Sequence, residues 1–120
     1  MAKGEITHIE FPADDPEREK RFYSAITGWK FEAMDGFPNY WLFHSSERAG
    51  GGLGKRGESV GDVVRVYISV DSIEEGIAAA EANGGTVREG PAEVPGQGRY
   101  AVLTDPEGNE VALWESLPRS

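Results

Sequence analysis

The sequence ITHIEFPADDPEREKRFYSAITGW at residues 6–29 contains a β-rich run, a helix start, an amphipathic helix and a glycine stop. The same order returns in VVRVYISVDSIEEGIAAAEANGG at residues 63–85. A constant spacing of 57 residues relates four pairs of positions in the two stretches, which are His8 and Arg65, Asp14 and Asp71, Glu17 and Glu74, and Gly28 and Gly85. A repeat of this length predicts two copies of one supersecondary unit, neither of which buries its apolar face alone.

The chain length and charge limit what such a repeat can do. With 120 residues we expect a single domain, residues 1–120, made of a first module at about 4–58 and a second at about 61–117. The net charge of −9 argues against nucleic acid and anionic membrane as partners. No cysteine is present, and no secretion signal or membrane-length apolar run is apparent, so the expected location is the cytoplasm.

The first module reads as β-α-β-β-β. After a strand at residues 5–11, Asp15-Pro16 predicts a helix start and Gly28 a helix end. Phe22, Tyr23 and Ile26 are expected to form the buried stripe of this helix. Three short strands are then predicted, at residues 29–31, 40–43 and 52–53.

The second module repeats this order with other caps. Residues 63–70 predict a strand, and Ser72-Ile-Glu-Glu75 a capping box that starts a helix ending at Asn83. A strand begins at residue 86, and residues 89–98, with two prolines, predict a loop that could serve as a lid. The last two strands are predicted at residues 99–103 and 110–114. The glycine run at residues 50–54 precedes no helix, which argues against a phosphate loop and for a flexible or tightly packed strand edge.

The chain resembles the vicinal oxygen chelate superfamily, which includes glyoxalases, bleomycin-resistance proteins and extradiol dioxygenases, and within it a small glyoxalase-like branch. The motifs that carry the resemblance are Thr7-His-Ile-Glu-Phe11, Asp15-Pro-Glu17, Phe22-Tyr23, Gly28-Trp29, Gly98-Arg-Tyr100, Asp105-Pro-Glu-Gly-Asn109 and Leu113-Trp114. The resemblance implies an α+β fold of two tandem βαβββ modules. Their strands would form a curled mixed sheet around a cleft, with the helices outside and the cleft completed by homodimerisation.

In metal-using members of this superfamily, the first and last strands of each module supply the ligands. Transferred to this sequence, those positions are His8 and Gly52 in the first module and Arg65 and Ala112 in the second. Only His8 keeps a side chain that binds a divalent metal, whereas such a site needs about three protein ligands. Arg65 would also place a permanent positive charge beside the cation. We therefore expect no metal and no cofactor.

Strand parity predicts which side chains line the cleft, because residues two apart in a strand share a face. The predicted ligand-binding residues are His8, Glu10, Arg65, Tyr67, Ser69, Glu110 and Trp114, together with the small Ala112. The alternate positions, among them Ile9 and Phe11, are expected to face the helices. A polar lining with aromatic walls is typical of a site for a small organic molecule.

Each candidate also has a structural interpretation. His8 is a ligand, an acid/base group or a neutral histidine bonded to the sheet. Glu10 and Arg65 form a salt bridge, or Arg65 binds a carboxylate of the ligand. Tyr67 and Trp114 are substrate platforms or packing residues. His44 is expected at the surface or in a turn, and the tryptophans Trp29 and Trp41 in the packing.

Two classes of function remain open. The first, which the ligand count favours, is a metal-independent protein that binds a small organic molecule in the cleft between the modules. The alternative is a lyase, isomerase or dioxygenase-type enzyme that uses His8 and Glu10, with or without a divalent metal and with Tyr67 as a further acid/base candidate. A domain that acts only within a larger assembly is a weaker third class. Fold alone does not separate these classes.

Overall fold

The computed structural model describes residues 3–117, and it has the predicted α+β architecture with a repeated β-α-β-β-β order. The elements of the first module are β1 Ile6–Ala13, α1 Pro16–Thr27, β2 Glu32–Ala33, β3 Tyr40–His44 and β4 Gly50–Lys55. Those of the second are β5 Arg65–Ser69, α2 Ile73–Ala82, β6 Thr86–Val94, β7 Gly98–Thr104 and β8 Glu110–Ser116. None of the helices between residues 3 and 117 is long and apolar enough to cross a membrane.

The chain divides into two compact units. The first unit is Thr7–Arg65, and the second comprises residues 3–6 and 66–117 of the described chain. In the first unit the strands follow the order β2-β3-β4-β1, with β1 parallel and β3 antiparallel to β4. In the second the order is β5-β8-β7-β6, with β5 parallel and β7 antiparallel to β8. The two modules therefore use the same strand arrangement.

Helix α1 begins and ends where its sequence signals lie. The Asp15 side chain accepts a hydrogen bond from the Arg18 N–H at 3.1 Å, Pro16 is the first helical residue, and Gly28 ends the helix with a φ of 79°. An L-residue with a side chain adopts that left-handed conformation only at a cost, which explains the glycine. These three signals are local, so the sequence alone was sufficient to place the helix.

The predicted buried stripe of α1 is wrong for Phe22 and Ile26, whereas Tyr23 does pack against the strands. Phe22 and Ile26 are 54% and 64% exposed, and no residue of α1 is fully buried. The helix contacts the strands through Tyr23, whose ring centroid lies 4.8 Å from that of Phe11, and through Lys20, whose Nζ lies 4.0 Å above the ring of Trp41. Hydrophobic spacing identified a helix but not the face that packs, because the orientation of a helix depends on its partner strands.

Aromatic rings form much of the packing between α1 and the strands of the first unit. Trp29 stacks on Phe43 with ring centroids 4.2 Å apart, and Phe11 lies 6.0 Å from Phe43. Trp29 thus has the packing role expected from the sequence. Pairs of rings at these separations add about 0.5–1.5 kcal/mol each beyond the burial of their area.

Helix α2 is fixed at its start by the predicted cap and by a group of charges. The Ser72 hydroxyl accepts from the Glu75 N–H at 3.2 Å, and Ile73 is fully buried. Arg99 donates two hydrogen bonds to Glu74, at 2.8 and 2.9 Å, and these bonds lower the pKa of Glu74 to about 2. The predicted helix start is therefore confirmed, with Arg99 as a support that lies outside the helix sequence.

The loop predicted at residues 89–98 is wrong, and with it the lid. Strand β6 continues to Val94 and pairs antiparallel with β7, so that only residues 95–97 form a turn. Register shifts between Val87 and Glu89 and between Glu89 and Ala92 accommodate Gly90 and Pro91. Because β6 is an edge strand of its sheet, it pairs with β7 on one side only. Pro91, which has no backbone N–H, therefore interrupts no hydrogen bonding to a second neighbouring strand.

Strands β2 and β5 also begin two or three residues later than predicted. The strand expected at residues 29–31 is displaced to Glu32–Ala33, since Trp29 and Phe31 are used in packing against Phe43. Strand β5 begins only at Arg65, because Val63 and Val64 are 52% and 49% exposed. Their β-branched side chains satisfied the sequence criterion for a strand, but about half of each remains exposed.

The glycine run forms strand β4, which lies between β3 and β1 and not at an edge. A Cβ added at Gly51 would lie 1.9 Å from the Ile9 carbonyl oxygen, and one at Gly50 would lie 2.1 Å from that of Phe43. No side chain fits at such distances. The run therefore permits close approach of neighbouring backbones, in agreement with the tight-packing interpretation.

Candidate functional site

A chain of polar side chains crosses the strands of the first unit, with Tyr40 at its centre. The Tyr40 hydroxyl on β3 lies 2.8 Å from His8 Nε2 and 2.8 Å from Glu10 Oε2, both on β1. Residues 8 and 10 share one face of β1, which explains how one hydroxyl reaches both. We call the group His8, Glu10, Tyr40 and Gly52 the Tyr40 site.

The hydrogen positions in this site follow from chemistry. A phenol has one hydrogen, and Tyr40 donates it to the Glu10 carboxylate. His8 must then carry its hydrogen on Nε2 and donate it to the phenol oxygen. Burial lowers the pKa of His8 to about 4, so its ring is neutral at pH 7.

Glu10 also faces a positive charge. Arg65 Nη1 lies 3.7 Å from Glu10 Oε1, and the two side chains are only 11% and 9% exposed. Isolated charges are not buried in this way, because the desolvation penalty is several kcal/mol per ion. The sequence-predicted residues His8, Glu10 and Arg65 thus lie together within the first unit.

Gly52 leaves the space that the Tyr40 ring fills. A Cβ at position 52 would lie 1.9 Å from the Tyr40 hydroxyl oxygen and 2.2 Å from Cζ. Gly52 is opposite Glu10 in the β1–β4 register, so it lies beside the Tyr40 site at the position where the superfamily resemblance places a metal ligand. The missing side chain at this position is what allows the phenol to reach His8 and Glu10.

The side chains of the Tyr40 site do not fit a divalent metal ion. His8 Nε2 carries a hydrogen that it donates to Tyr40, and Gly52 has no ligand atom. Arg65, a permanent cation, lies beside the one carboxylate present. Across residues 3–117, no group of three or more His, Asp or Glu side chains is arranged to hold a metal.

A small pocket opens beside His8, where β1 and β4 begin and β3 ends. Its volume is about 170 Å³, below the roughly 300–1,000 Å³ typical of sites for drug-sized ligands. The polar side chains that line it are Thr7, His8, His44, Glu47 and Arg48. His44 is exposed at the end of β3, as the sequence indicated.

The remaining predicted site residues lie in the second unit. Tyr67 packs edge to face with Tyr100 at a centroid distance of 6.4 Å, and it is 9% exposed. We call this group the Tyr100 cluster, and its members are Tyr67, Tyr100, Val102, Ala112 and Trp114. Apolar and aromatic contacts dominate it, in contrast to the hydrogen bonds of the Tyr40 site.

Ser69 and Glu110 have separate surroundings. Ser69 is 3% exposed, and its backbone N–H and carbonyl bond to Glu5 and Gly4. Glu110 forms an ion pair with Arg88 at 3.0 Å. Trp114 Nε1 donates to the Ser116 hydroxyl at 3.1 Å. Each of these three residues therefore has a structural contact of its own.

Tyr40 is the residue that sequence reasoning missed. The sequence showed that Tyr40 and Tyr100 are 60 residues apart, the spacing that also relates Gly52 to Ala112. Each module thus has a tyrosine and, at the corresponding later position, a glycine or an alanine. This recurring combination is a signal that the tyrosine ring covers the small residue. The partners of the hydroxyl become visible only with the strand register, which places Tyr40 opposite Gly54 and Glu10 opposite Gly52.

Comparison with protein families identifies the domain type. The family model described as "Glyoxalase-like domain" matches residues 8–114. A glyoxylase-like domain-containing protein of Didymella fabae is 33% identical, over 92% of this chain and 92% of its own length. CFP32 of Mycobacterium tuberculosis, which carries a glyoxylase name, is 30% identical over 97% of this chain and 46% of its own length. The chain thus spans about half the length of these mycobacterial relatives.

Solved structures show the same fold at low sequence identity. A hypothetical protein of Bacillus halodurans has a TM-score of 0.74 at 18% identity, and 99% of each chain is covered. A glyoxalase/bleomycin resistance protein/dioxygenase superfamily member from Vibrio splendidus has a TM-score of 0.66 at 12% identity, covering 91% of this chain and 97% of that one. Methylmalonyl-CoA epimerase of Streptomyces coelicolor, in complex with 2-nitronate-propionyl-CoA, scores 0.63 at 16% identity, covering 98% and 100%.

Proposed function

This chain belongs to the glyoxalase-like domain family, and we propose that it binds a small organic molecule without the help of a metal ion. The observation that carries the proposal is the buried ion pair of Glu10 and Arg65 beside the Tyr40 site. Arg65 stands at a superfamily ligand position, and its positive charge is available to replace the charge of a metal ion. The fold supports the proposal, since a structural relative has been solved with a CoA ester bound.

The proposed ligand class is a small organic acid. A guanidinium presents paired N–H donors that match a carboxylate, and charge-assisted bonds of this kind are stronger than neutral ones. In the absence of ligand, Glu10 would keep Arg65 oriented at 3.7 Å, a distance at the long end for an ion pair. A carboxylate ligand then competes with Glu10 for the same donors.

The first experiment is a thermal-shift screen of small carboxylates and aromatic cations. We expect carboxylates to raise the melting temperature of the wild type, and Arg65→Lys to weaken their binding by about 1–3 kcal/mol because lysine lacks the planar fork. Arg56→Lys is the matched control, since Arg56 forms an ion pair with Asp14 at 2.9 Å on an exposed surface. Stabilisation by cations alone would assign the site to positively charged ligands and remove Arg65 from it.

Metal analysis tests the second half of the proposal. Protein purified without chelators should contain well below one equivalent of nickel, zinc, iron or manganese, and EDTA should leave its melting temperature unchanged. The reason is that fewer than three protein ligands converge in the Tyr40 site. Stoichiometric metal that survives dialysis would contradict the proposal.

An acid/base enzyme is the second candidate, and the His8–Tyr40–Glu10 chain of hydrogen bonds favours it. A neutral histidine linked through a phenol to a carboxylate has the groups that move a proton at neutral pH. The proposed reaction class is proton transfer on a small acid, as in an isomerase or lyase. An activity assay that shows equal rates for the wild type and His8→Gln would eliminate this candidate.

We further propose that the chain forms a homodimer. Several large apolar side chains of the described residues are exposed, among them Phe22, Ile26 and Phe37 at 54%, 64% and 40%. A two-fold interface would bury the same patch on both copies. Sedimentation at micromolar concentration should give the mass of two chains, and a single-chain species throughout would exclude the dimer.

A further inference from the structure

The Tyr40 hydroxyl lies between two side chains of metal-binding type, His8 and Glu10, and beside position 52. His8 Nε2 and Glu10 Oε2 are each 2.8 Å from this oxygen. A Cβ at position 52 would lie only 1.9 Å from it. Positions 8 and 52 are those at which metal-using relatives would supply ligands. The Glu10 carboxylate, on the same face of β1 as His8, would be a third ligand.

We propose that Tyr40 has taken the place of the metal ion, so that this side chain closes a latent divalent-cation site formed by His8, Glu10 and position 52. The inference deepens the metal-independent function proposed above and rests on it. Besides the nearby charge of Arg65, metal independence then has two causes within the Tyr40 site itself, the missing ligand at position 52 and the phenol that fills its space. The second cause is the one that ligand counting overlooks.

Hydrogen-bond chemistry explains why a phenol is a suitable replacement. A cation holds an imidazole nitrogen and a carboxylate by accepting a lone pair from each. The hydroxyl holds the same two groups by accepting from the His8 N–H and donating to Glu10. All buried side-chain N and O atoms between residues 3 and 117 have a partner. His8 and Glu10 thus both have a hydrogen-bond partner in the absence of a cation.

The Tyr40 side chain and a metal ion cannot occupy this space at the same time. A zinc-type ion binds nitrogen and oxygen ligands at about 2.0–2.2 Å, so it would occupy the volume of the Tyr40 oxygen. A ligand side chain at position 52 would collide with the ring, because even its Cβ lies 1.9 Å from the hydroxyl and 2.2 Å from Cζ. Restoring a carboxylate at position 52 is therefore insufficient while Tyr40 remains.

The test compares Gly52→Glu with the double variant Tyr40→Ala/Gly52→Glu, each titrated with Co²⁺ and followed by visible absorption. The double variant supplies His8, Glu10 and a glutamate, and it should bind Co²⁺ with tetrahedral or five-coordinate absorption bands. Its affinity should exceed that of Gly52→Glu and of the wild type by at least about 100-fold, since even an outer partner of a metal ligand is worth 10–100-fold. Equal Co²⁺ affinity of Gly52→Glu and the double variant would overturn the inference.

The second module provides the matched control. Tyr100→Ala/Ala112→Glu makes the same two changes at the repeat positions, but Arg65 and Tyr67 stand there in place of His8 and Glu10. This variant should bind no Co²⁺. Binding equal to that of the first-module double variant would show that the metal is held elsewhere and would also overturn the inference.

Tyr40→Ala alone keeps the inference testable if the double variant does not fold, because it adds no bulk at position 52. Paramagnetic Co²⁺ should broaden the His8 ring signals of Tyr40→Ala and leave those of the wild type sharp. Because only two ligands remain in this variant, Co²⁺ is added in large excess, and unchanged His8 signals in Tyr40→Ala under that excess would contradict a latent site. The carboxylate thermal-shift screen on the metal-free wild type decides the proposed function separately, so the two failures are distinguishable.

Discussion

The Tyr40 site and the Tyr100 cluster are built on one backbone plan with opposite chemistry. Tyr40 lies opposite Gly54, and Gly52 lies two residues earlier on the last strand of that module. In the same way, Tyr100 lies opposite Trp114, and Ala112 lies two residues earlier on the last strand of the second module. Glu10 is opposite Gly52, and Tyr67 is opposite Ala112. In the first module these positions hold a hydrogen-bonded chain, whereas in the second they hold packed aromatic and apolar side chains.

Two substitutions between the repeats account for this difference. Where the first module has His8 and Glu10, the second has Arg65 and Tyr67. The carboxylate gives the phenol of Tyr40 an acceptor, and the imidazole gives it a donor. Tyr100 has no such pair at the matched positions, and its hydroxyl donates instead to the exposed Glu89 at 3.2 Å. A repeated backbone therefore does not imply a repeated site.

The largest expected effect comes from removing the negative charge of the Tyr40 site. Glu10→Met removes the carboxylate that faces the buried Arg65 guanidinium at 3.7 Å, which should lower the free energy of unfolding by about 3–5 kcal/mol. Adding Arg65→Met should recover most of that loss, because the uncompensated charge is gone. Urea unfolding measures both, and Tyr67→Phe at the matched position should cost only about 1 kcal/mol. No recovery in the double variant would mean that the ion pair is not the source of the loss.

Low pH should lower the free energy of unfolding because His8, in the first module, is buried in its neutral form. The pKa of His8 is about 4 in the folded chain and 6.5 in a free side chain, so the unfolded state takes up a proton first. The free energy of unfolding should therefore fall as the pH decreases from about 6.5 to 4, by on the order of 3 kcal/mol. Denaturant melts across this range on the wild type and His8→Gln check the expectation, with His44→Gln as control. A loss of equal size in His8→Gln would assign it to other groups.

Adding one methyl group to Gly52 should show how closely Tyr40 approaches the sheet. Gly52→Ala introduces a Cβ 1.9 Å from the Tyr40 oxygen, and we expect a loss of about 3 kcal/mol, at the upper end of overpacking effects. The reverse change in the second module, Ala112→Gly, should cost about 1 kcal/mol, since glycine weakens a strand. A loss well below about 1 kcal/mol for Gly52→Ala would mean that Tyr40 does not lie close to position 52.

The smallest expected effect comes from the two hydroxyl groups. Tyr40→Phe leaves the His8 N–H and the Glu10 oxygen without their partner and should cost about 2 kcal/mol. Tyr100→Phe removes a hydroxyl that bonds an exposed carboxylate, and should change stability by less than about 0.5 kcal/mol. Calorimetry on both variants separates the two values. Equal losses would remove the polar distinction between the modules.

Much of the fold was readable from residues that act locally. Asp15-Pro16 and Gly28 fixed the ends of α1, and Ser72 with Glu75 fixed the start of α2, because a cap and the backbone groups that it satisfies lie within one turn. The repeat at 57 residues predicted the β-α-β-β-β order of both modules. The family resemblance rested on the same motifs, and the family match over residues 8–114 confirms it.

The remaining features depend on contacts between distant residues, which only the tertiary structure decides. The sequence could place His8 and Glu10 on one face of β1, since strand parity is local, and the superfamily resemblance added Arg65 to them. It could not show that Tyr40, 30 residues beyond Glu10, would place its hydroxyl between two of them. That contact requires the register of three strands and the absence of a side chain at Gly52 together. Hydrogen bonds across a sheet are set by strand pairing, and pairing is a property of the folded chain.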